Sequence, residues 1–164
     1  MIGIGRHTDY AARIVLHLAS LGEGAQATAA EIARKRLLPV AFMRRIVGKL
    51  AAAGIVRTMR GAGGGVRLAR PAAEISLLDV LRAMEGGVTL NACVASPPAC
   101  PLSESCPVQR AWTSATVALE GQLDGVRFDA LADALENHVT RAGYPHRPAR
   151  GRTPAAPRRR VPPG

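Results

Sequence analysis

Residues 28–70 read TAAEIARKRLLPVAFMRRIVGKLAAAGIVRTMRGAGGGVRLAR. Thr28-Ala-Ala-Glu31 is a capping-box pattern, with a hydroxyl for the N3 amide and a carboxylate for the cap amide. It predicts a short helix through Ile32, Ala33 and Leu37. Pro39 marks a second start, and Phe42, Met43, Ile46, Val47 and Leu50 then form one apolar stripe. Arg44, Arg45, Gly48 and Lys49 fall largely off that stripe, and Gly54 reads as a C-cap. Two short helices joined tightly, the second basic on its outer face, make a helix-turn-helix pattern. Ile55–Arg60 and Val66–Arg70 alternate in the manner of strands across the glycine run 61–65, and a hairpin in that place is a wing.

Working outward, Thr8–Leu21 carries Ala11, Ile14, Val15, Leu18 and Ala19 at helical spacing, and Gly22-Glu-Gly24 ends it. Beyond Pro71, Ser76 can cap a helix that shows Leu77, Val80, Leu81 and Met84 on one face, with Asp79 at N3. Gly86-Gly87 stops it. After Pro107, the residues Val108, Trp112, Ala115, Leu119 and Leu123 recur every three or four positions over about four turns. This long stripe suits packing against the rest of its own chain or against a second copy. Phe128, Leu131, Ala132, Leu135 and Val139 mark a final helix ending near Gly143. Residues 145–164 hold six Pro and six Arg with almost no large apolar side chain, and read as a disordered tail.

The 164 residues carry a net charge of +10, distributed unevenly. Residues 1–71 hold twelve Lys/Arg against three Asp/Glu, residues 72–144 four against nine, and residues 145–164 six against none. A basic N-terminal module is the electrostatic footprint of a nucleic-acid binder. No apolar run approaches a membrane span, and Arg6, His7, Asp9 and Arg13 interrupt any signal-peptide core, so a cytoplasmic location is expected. There is no Ser/His/Asp arrangement, no paired carboxylates in a credible cleft and no nucleotide loop, which argues against an enzyme. The glycine run lacks the Lys-Ser/Thr pair of a P-loop, because Val66-Arg67 follows it. It also lacks the glycine that a dinucleotide fingerprint needs where Val66 stands. Gly61, Gly63 and Gly64 instead suit a turn whose backbone approaches DNA, with Arg60 at its edge placed for a minor groove.

All three cysteines lie in one short stretch, Cys93, Cys100 and Cys106, among Pro97, Pro98, Pro101 and Pro107. Proline excludes a long helix there, so the segment is a stiffened loop that presents sulfur. In a reducing compartment three thiols read as metal ligands or redox sensors before structural disulfides. The long spacing, Cys-x6-Cys-x5-Cys, argues against a structural zinc site.

Thr8-Asp9-Tyr10-Ala-x-Arg13, then Arg60-Gly-x-Gly-Gly-Gly65, then Leu90-Asn-x-Cys93 leading into Cys100-Pro-x-x-x-x-Cys106-Pro-Val, resemble the winged-helix iron–sulfur transcriptional regulators that include IscR, NsrR and RirA. The resemblance covers roughly residues 3–140. It implies a mainly α fold: a winged helix-turn-helix with a two-stranded wing over 1–71, and a cysteine loop with a long dimerisation helix over 72–144. It implies a homodimer on a double-stranded DNA operator, acting as a repressor, with affinity set by a 2Fe-2S or 4Fe-4S cluster that senses nitric oxide, redox state or iron–sulfur status. The family's DNA contacts carry over to Pro39, Ala41, Arg44, Arg45 and Arg60, with Lys49 on the same basic helix. Many relatives have Ser where Pro39 stands, and some have an acidic residue where Arg44 stands.

Cys93, Cys100 and Cys106 supply three cluster ligands under this resemblance. The His of the IscR-like branch is replaced by Gln109, a poor ligand for iron. The fourth ligand of the NsrR-like branch falls on Asp9, supplied by the partner subunit. Asp9 equally suits a carboxylate at a helix N-terminus. His7 and His17 read as ordinary histidines. A cluster-free regulator in which Cys100 and Cys106 pair on oxidation stays open beside this reading, as does, more remotely, an iron–sulfur electron-transfer protein.

Overall fold

The structure is a computed structural model that describes residues 3–61 and 63–141. It is mainly helical. In chain order the elements are α1 (Arg6–Ala19), β1 (Gln26–Ala27), α2 (Ala29–Arg36), α3 (Val40–Ala52), β2 (Val56–Met59), β3 (Gly65–Leu68), α4 (Leu77–Glu85), α5 (Ala92–Ala95), α6 (Pro107–Gly125) and α7 (Phe128–Arg141). Single 3-10 turns lie at Ala72–Glu74 and Pro97–Ala99.

The two expected caps form. Thr28 N donates to Glu31 Oε2 at 2.9 Å and Glu31 N donates to Thr28 Oγ1 at 3.2 Å. The Thr28 amide, and after it the Thr28 hydroxyl that also donates to Oε2 at 2.9 Å, hold the Glu31 carboxyl below its usual pKa range. Ser76 and Asp79 repeat the arrangement at 3.0 and 3.1 Å. Leu37 ends α2 in the left-handed region (φ 54°), and Leu38 N donates to Ala33 O at 2.8 Å. That reversal lets α3 start at Val40 with Pro39 as its N-cap. A left-handed leucine costs roughly 1–2 kcal/mol, which the packing around the turn has to offset.

β2 and β3 are the expected hairpin, with Arg57 opposite Arg67 and Met59 opposite Gly65. The wing has a third strand, β1, which pairs antiparallel with β3 so that Ala27 faces Val66. Two residues are too few for any periodicity to announce a strand; the tertiary pairing makes it one.

One hydrophobic core runs through both halves of the chain. Ala11, Ile14, Val15 and Leu18 of α1 meet Ile46 and Leu50 of α3, Val66 of β3, Val80 of α4 and Phe128 of α7. Backbone bonds tie the far end of the chain in: Phe128 N donates to Ile75 O at 3.1 Å, and Leu77 N to Val126 O at 2.9 Å. The core is therefore shared across residue 71.

Two expectations are corrected or resolved. Phe42 is not on the buried face of α3. It is 40% exposed, and its ring meets His7 edge-on at a centroid distance of 4.9 Å. The α6 stripe is unburied in the protomer, with Val108, Trp112 and Leu119 at 60%, 39% and 37% exposure, and Thr116 the buried residue of that helix. It does not pack away against its own chain. The expected helix end near Gly143 and the 145–164 tail lie outside the described residues.

Candidate nucleic-acid interface and cysteine segment

The first turns of α3 leave Pro39, Val40, Ala41, Arg44 and Arg45 exposed, because Met43, Ile46, Val47 and Leu50 take the core-facing positions. Among the described residues neither Arg44 nor Arg45 has an ion-pair or hydrogen-bond partner, so both guanidiniums are available. Arg60 lies exposed at the end of β2, beside the wing tip.

The wing glycines are required by the hairpin itself. Gly61 and Gly63 have φ of 107° and 109°, which side chains rarely adopt. A Cβ on Gly64 would collide with the Met59 carbonyl, and one on Gly65 would lie 2.8 Å from Ala27 O. Gln26 Nε2 donates to Gly63 O at 2.7 Å and holds the tip from β1.

Lys49, expected among the DNA contacts, has its ammonium engaged: Nζ donates to Met84 O at 2.8 Å. Next to it, Glu85 Oε1 accepts from Gly5 N at 2.9 Å and from the Thr8 hydroxyl. The end of α4 is thereby fastened both to α3 and to the start of α1.

Cys93 sits on α5, Cys100 follows the 3-10 turn, and Cys106 is the N-cap of α6. All three are free thiols and half-buried. The expected loop thus contains a helical turn, short enough for its prolines to permit. Gln109 Nε2 reaches the Cys93 carbonyl at 3.5 Å, so its side chain is turned to the backbone of this segment. Ser103, between Cys100 and Cys106, is buried, and its Oγ has no hydrogen-bond partner among the described residues. Among the described residues no three His, Cys, Asp or Glu side chains are gathered into a ligating group within the protomer. Three thiols on one segment match the soft donors that iron–sulfur clusters take, and the set is one ligand short of four.

Asp9 lies on α1, exposed and paired with Arg13 at 2.8 Å. On the same helix, the exposed His7 and the half-buried Tyr10 both meet the Phe42 ring, at centroid distances of 4.9 and 6.4 Å. His17 is a packed histidine, 3% exposed, and its Nε2 has no partner among the described residues. Burial first, then Arg36 and Lys35, lowers its pKa to about 4.

Gln26, Glu85 and Ser103 were not found by sequence reasoning. Their roles depend on contacts between distant segments or on burial, and no local spacing marks them.

The Rrf2 family, described as an iron-dependent transcriptional regulator, matches residues 4–134. The curated protein aau3 of Rhizobium meliloti (strain 1021) is 38% identical over 130 residues, which is 79% of this chain and 84% of that protein. Among solved structures, CymR, the global cysteine regulator of B. subtilis, superposes with a TM-score of 0.68 at 25% identity, over 82% of this chain and 98% of that one. IscR of T. potens superposes at 0.65 with 23% identity, over 83% and 90%, and shares the fold. Exposed arginines on a helix-turn-helix, a wing at its side and a family match over most of the length lead to one conclusion: the chain belongs to the Rrf2 family of transcriptional regulators, and is not an enzyme.

Proposed function

We propose that this regulator is a cytoplasmic repressor that binds operator DNA as a homodimer, and that an iron–sulfur cluster on the cysteine segment sets its affinity. Pro39, Ala41, Arg44 and Arg45 would meet the major groove. Arg60 would enter the adjacent minor groove, on a wing shaped by Gly61, Gly63 and Gly64. An arginine suits guanine O6 and N7 or phosphate, and cannot accept from cytosine. Residues 1–71 would do the DNA binding, and residues 72–144 the sensing and dimerisation. The unburied stripe on α6 supports a second copy packing there.

Cys93, Cys100 and Cys106 would hold the cluster, with Asp9 of the partner subunit as the fourth ligand. The observation that carries this reading is that every thiol of the chain is free and half-buried, on one segment ending at the N-cap of α6. Asp9 is exposed and belongs to α1, so a bond from it would join the sensing segment of one subunit to the DNA-binding module of the other. When bound, the cluster supplies redox and ligand-exchange chemistry at iron. The chain's part is to orient three sulfurs and one labile oxygen donor and to convey their loss to α1. Glu85 and Lys49 give that signal a route, since they fasten α4 to α1 and to α3.

Iron and sulfide analysis with visible spectroscopy of anaerobically purified protein, wild type and Asp9→Ala, tests this. About one cluster's worth of iron per chain, with a less stable cluster in Asp9→Ala, is expected. An unchanged cluster in the variant removes Asp9 from the ligand set.

A second reading keeps the DNA binding and makes the segment a thiol switch. It is favoured by the absence, among the described residues, of a preassembled ligating group. A reversible Cys100–Cys106 disulfide in iron-free protein would select it.

A further inference from the structure

A cavity of about 440 Å³ opens at the base of the wing, away from the cysteine segment. Its walls come from four places: the turn after α1, strands β2 and β3, the 3-10 turn at Ala72–Glu74, and the start of α7. Arg57, Arg67 and Arg70 line it, together with Glu23 and Asp129. Leu68 and Ala72 add an apolar floor.

The arrangement of charge is unusual for a structural surface. Arg57 and Arg67 are direct cross-strand partners. Like charges placed opposite on a sheet are destabilising unless an anion lies between them. Among the described residues neither guanidinium has an ion-pair or hydrogen-bond partner. Arg70 is already paired with Asp79, at 2.8 Å. The cavity therefore offers two guanidiniums, those of Arg57 and Arg67, that lack acceptor oxygens among the described residues. Asp129 uses Oδ1 to accept from Ala130 N at 2.8 Å, which leaves Oδ2 for a donor.

We infer that this cavity is an effector site for a small zwitterion of the amino-acid class, its carboxylate held by Arg57 and Arg67 and its ammonium facing Asp129 and Glu23. The volume lies within the range of small-molecule sites. A planar guanidinium fork matches a carboxylate. The two acids argue against a DNA phosphate as the intended anion, since they would repel it. The inference does not depend on the cluster. It concerns a different face of the molecule, where a ligand would brace the wing against α7.

Calorimetric titration of the full chain with each of the twenty L-amino acids tests it, with glutarate and 1,5-diaminopentane as probes that lack one of the two charges. At least one amino acid should bind once per chain. Its affinity should fall at least about tenfold in Arg67→Gln and in Asp129→Asn, the loss typical of a charged hydrogen bond. Arg67→Lys should restore part of it, and thermal melts of the variants confirm that they fold. Absence of binding by every amino acid overturns the inference, as does glutarate binding as tightly as the best of them. If Arg57→Gln and Arg67→Gln weaken only DNA binding, the arginines serve phosphate and the inference also falls.

Discussion

The ammonium of Lys49, in the last turn of α3, donates to the carbonyl of Met84 at the end of α4, at 2.8 Å. A cation that sequence alone would assign to phosphate thus also links α3 to α4, the element that leads into the cysteine segment. Lys49→Met keeps the aliphatic stem and removes the bond. Thermal denaturation should show a loss of about 1 kcal/mol. The dependence of operator affinity on salt should stay as in wild type. A direct phosphate contact would instead lower that slope by about 1.

Arg60→Ala should behave in the opposite way. Arg60 is exposed at the wing tip and outside the core, so stability should change by less than about 0.5 kcal/mol. Operator affinity should fall about tenfold or more, most strongly on sites with an A·T-rich segment under the wing. Fluorescence anisotropy with two operator variants measures both effects.

The α6 stripe yields a prediction about assembly. Trp112 and Leu119 are more than a third exposed in the protomer. If a second copy covers them, Leu119→Asp places a charge in that contact. Sedimentation should show dissociation to monomers at concentrations where the wild type is dimeric, with operator affinity lost in parallel. A variant that remains dimeric places the interface elsewhere.

His17 makes stability depend on pH. Its folded-state pKa is about 4 against 6.5 for the free side chain, chiefly through burial. The unfolded chain therefore binds the proton more readily. The contribution is fully present above pH 6.5 and is lost as pH falls toward 4. The full effect is roughly 3 kcal/mol. Denaturant titrations across this window should show the stability of wild type relative to His17→Leu falling by roughly 3 kcal/mol as the pH drops, because the leucine variant lacks this term.

The sequence made visible what repeats locally. Both capping boxes and the apolar face of α1 could be read from spacing alone, because the chemistry sits within one or two helical turns. The hairpin was visible for the same reason. β1 was not, since Gln26 and Ala27 become a strand only by lying beside β3. Phe42 fell on the periodic stripe, yet it points to His7 and Tyr10. Periodicity tells which residues share a face, and it cannot tell where that face stops being covered. The cysteine segment was conspicuous by composition. The bonds from Glu85 to Gly5 and Thr8 that connect its neighbourhood to α1 span about eighty residues and leave no local mark.

The central claim is that the state of the cysteine segment governs DNA binding. The most direct measurement is operator affinity of anaerobically purified protein before and after cluster removal, alongside Cys106→Ser, at one fixed salt concentration. The account predicts a coloured, iron-containing wild type whose affinity changes at least about tenfold when iron is removed, and a Cys106→Ser protein that matches the iron-free form. A colourless, iron-free wild type with the same operator affinity as Cys106→Ser would contradict it.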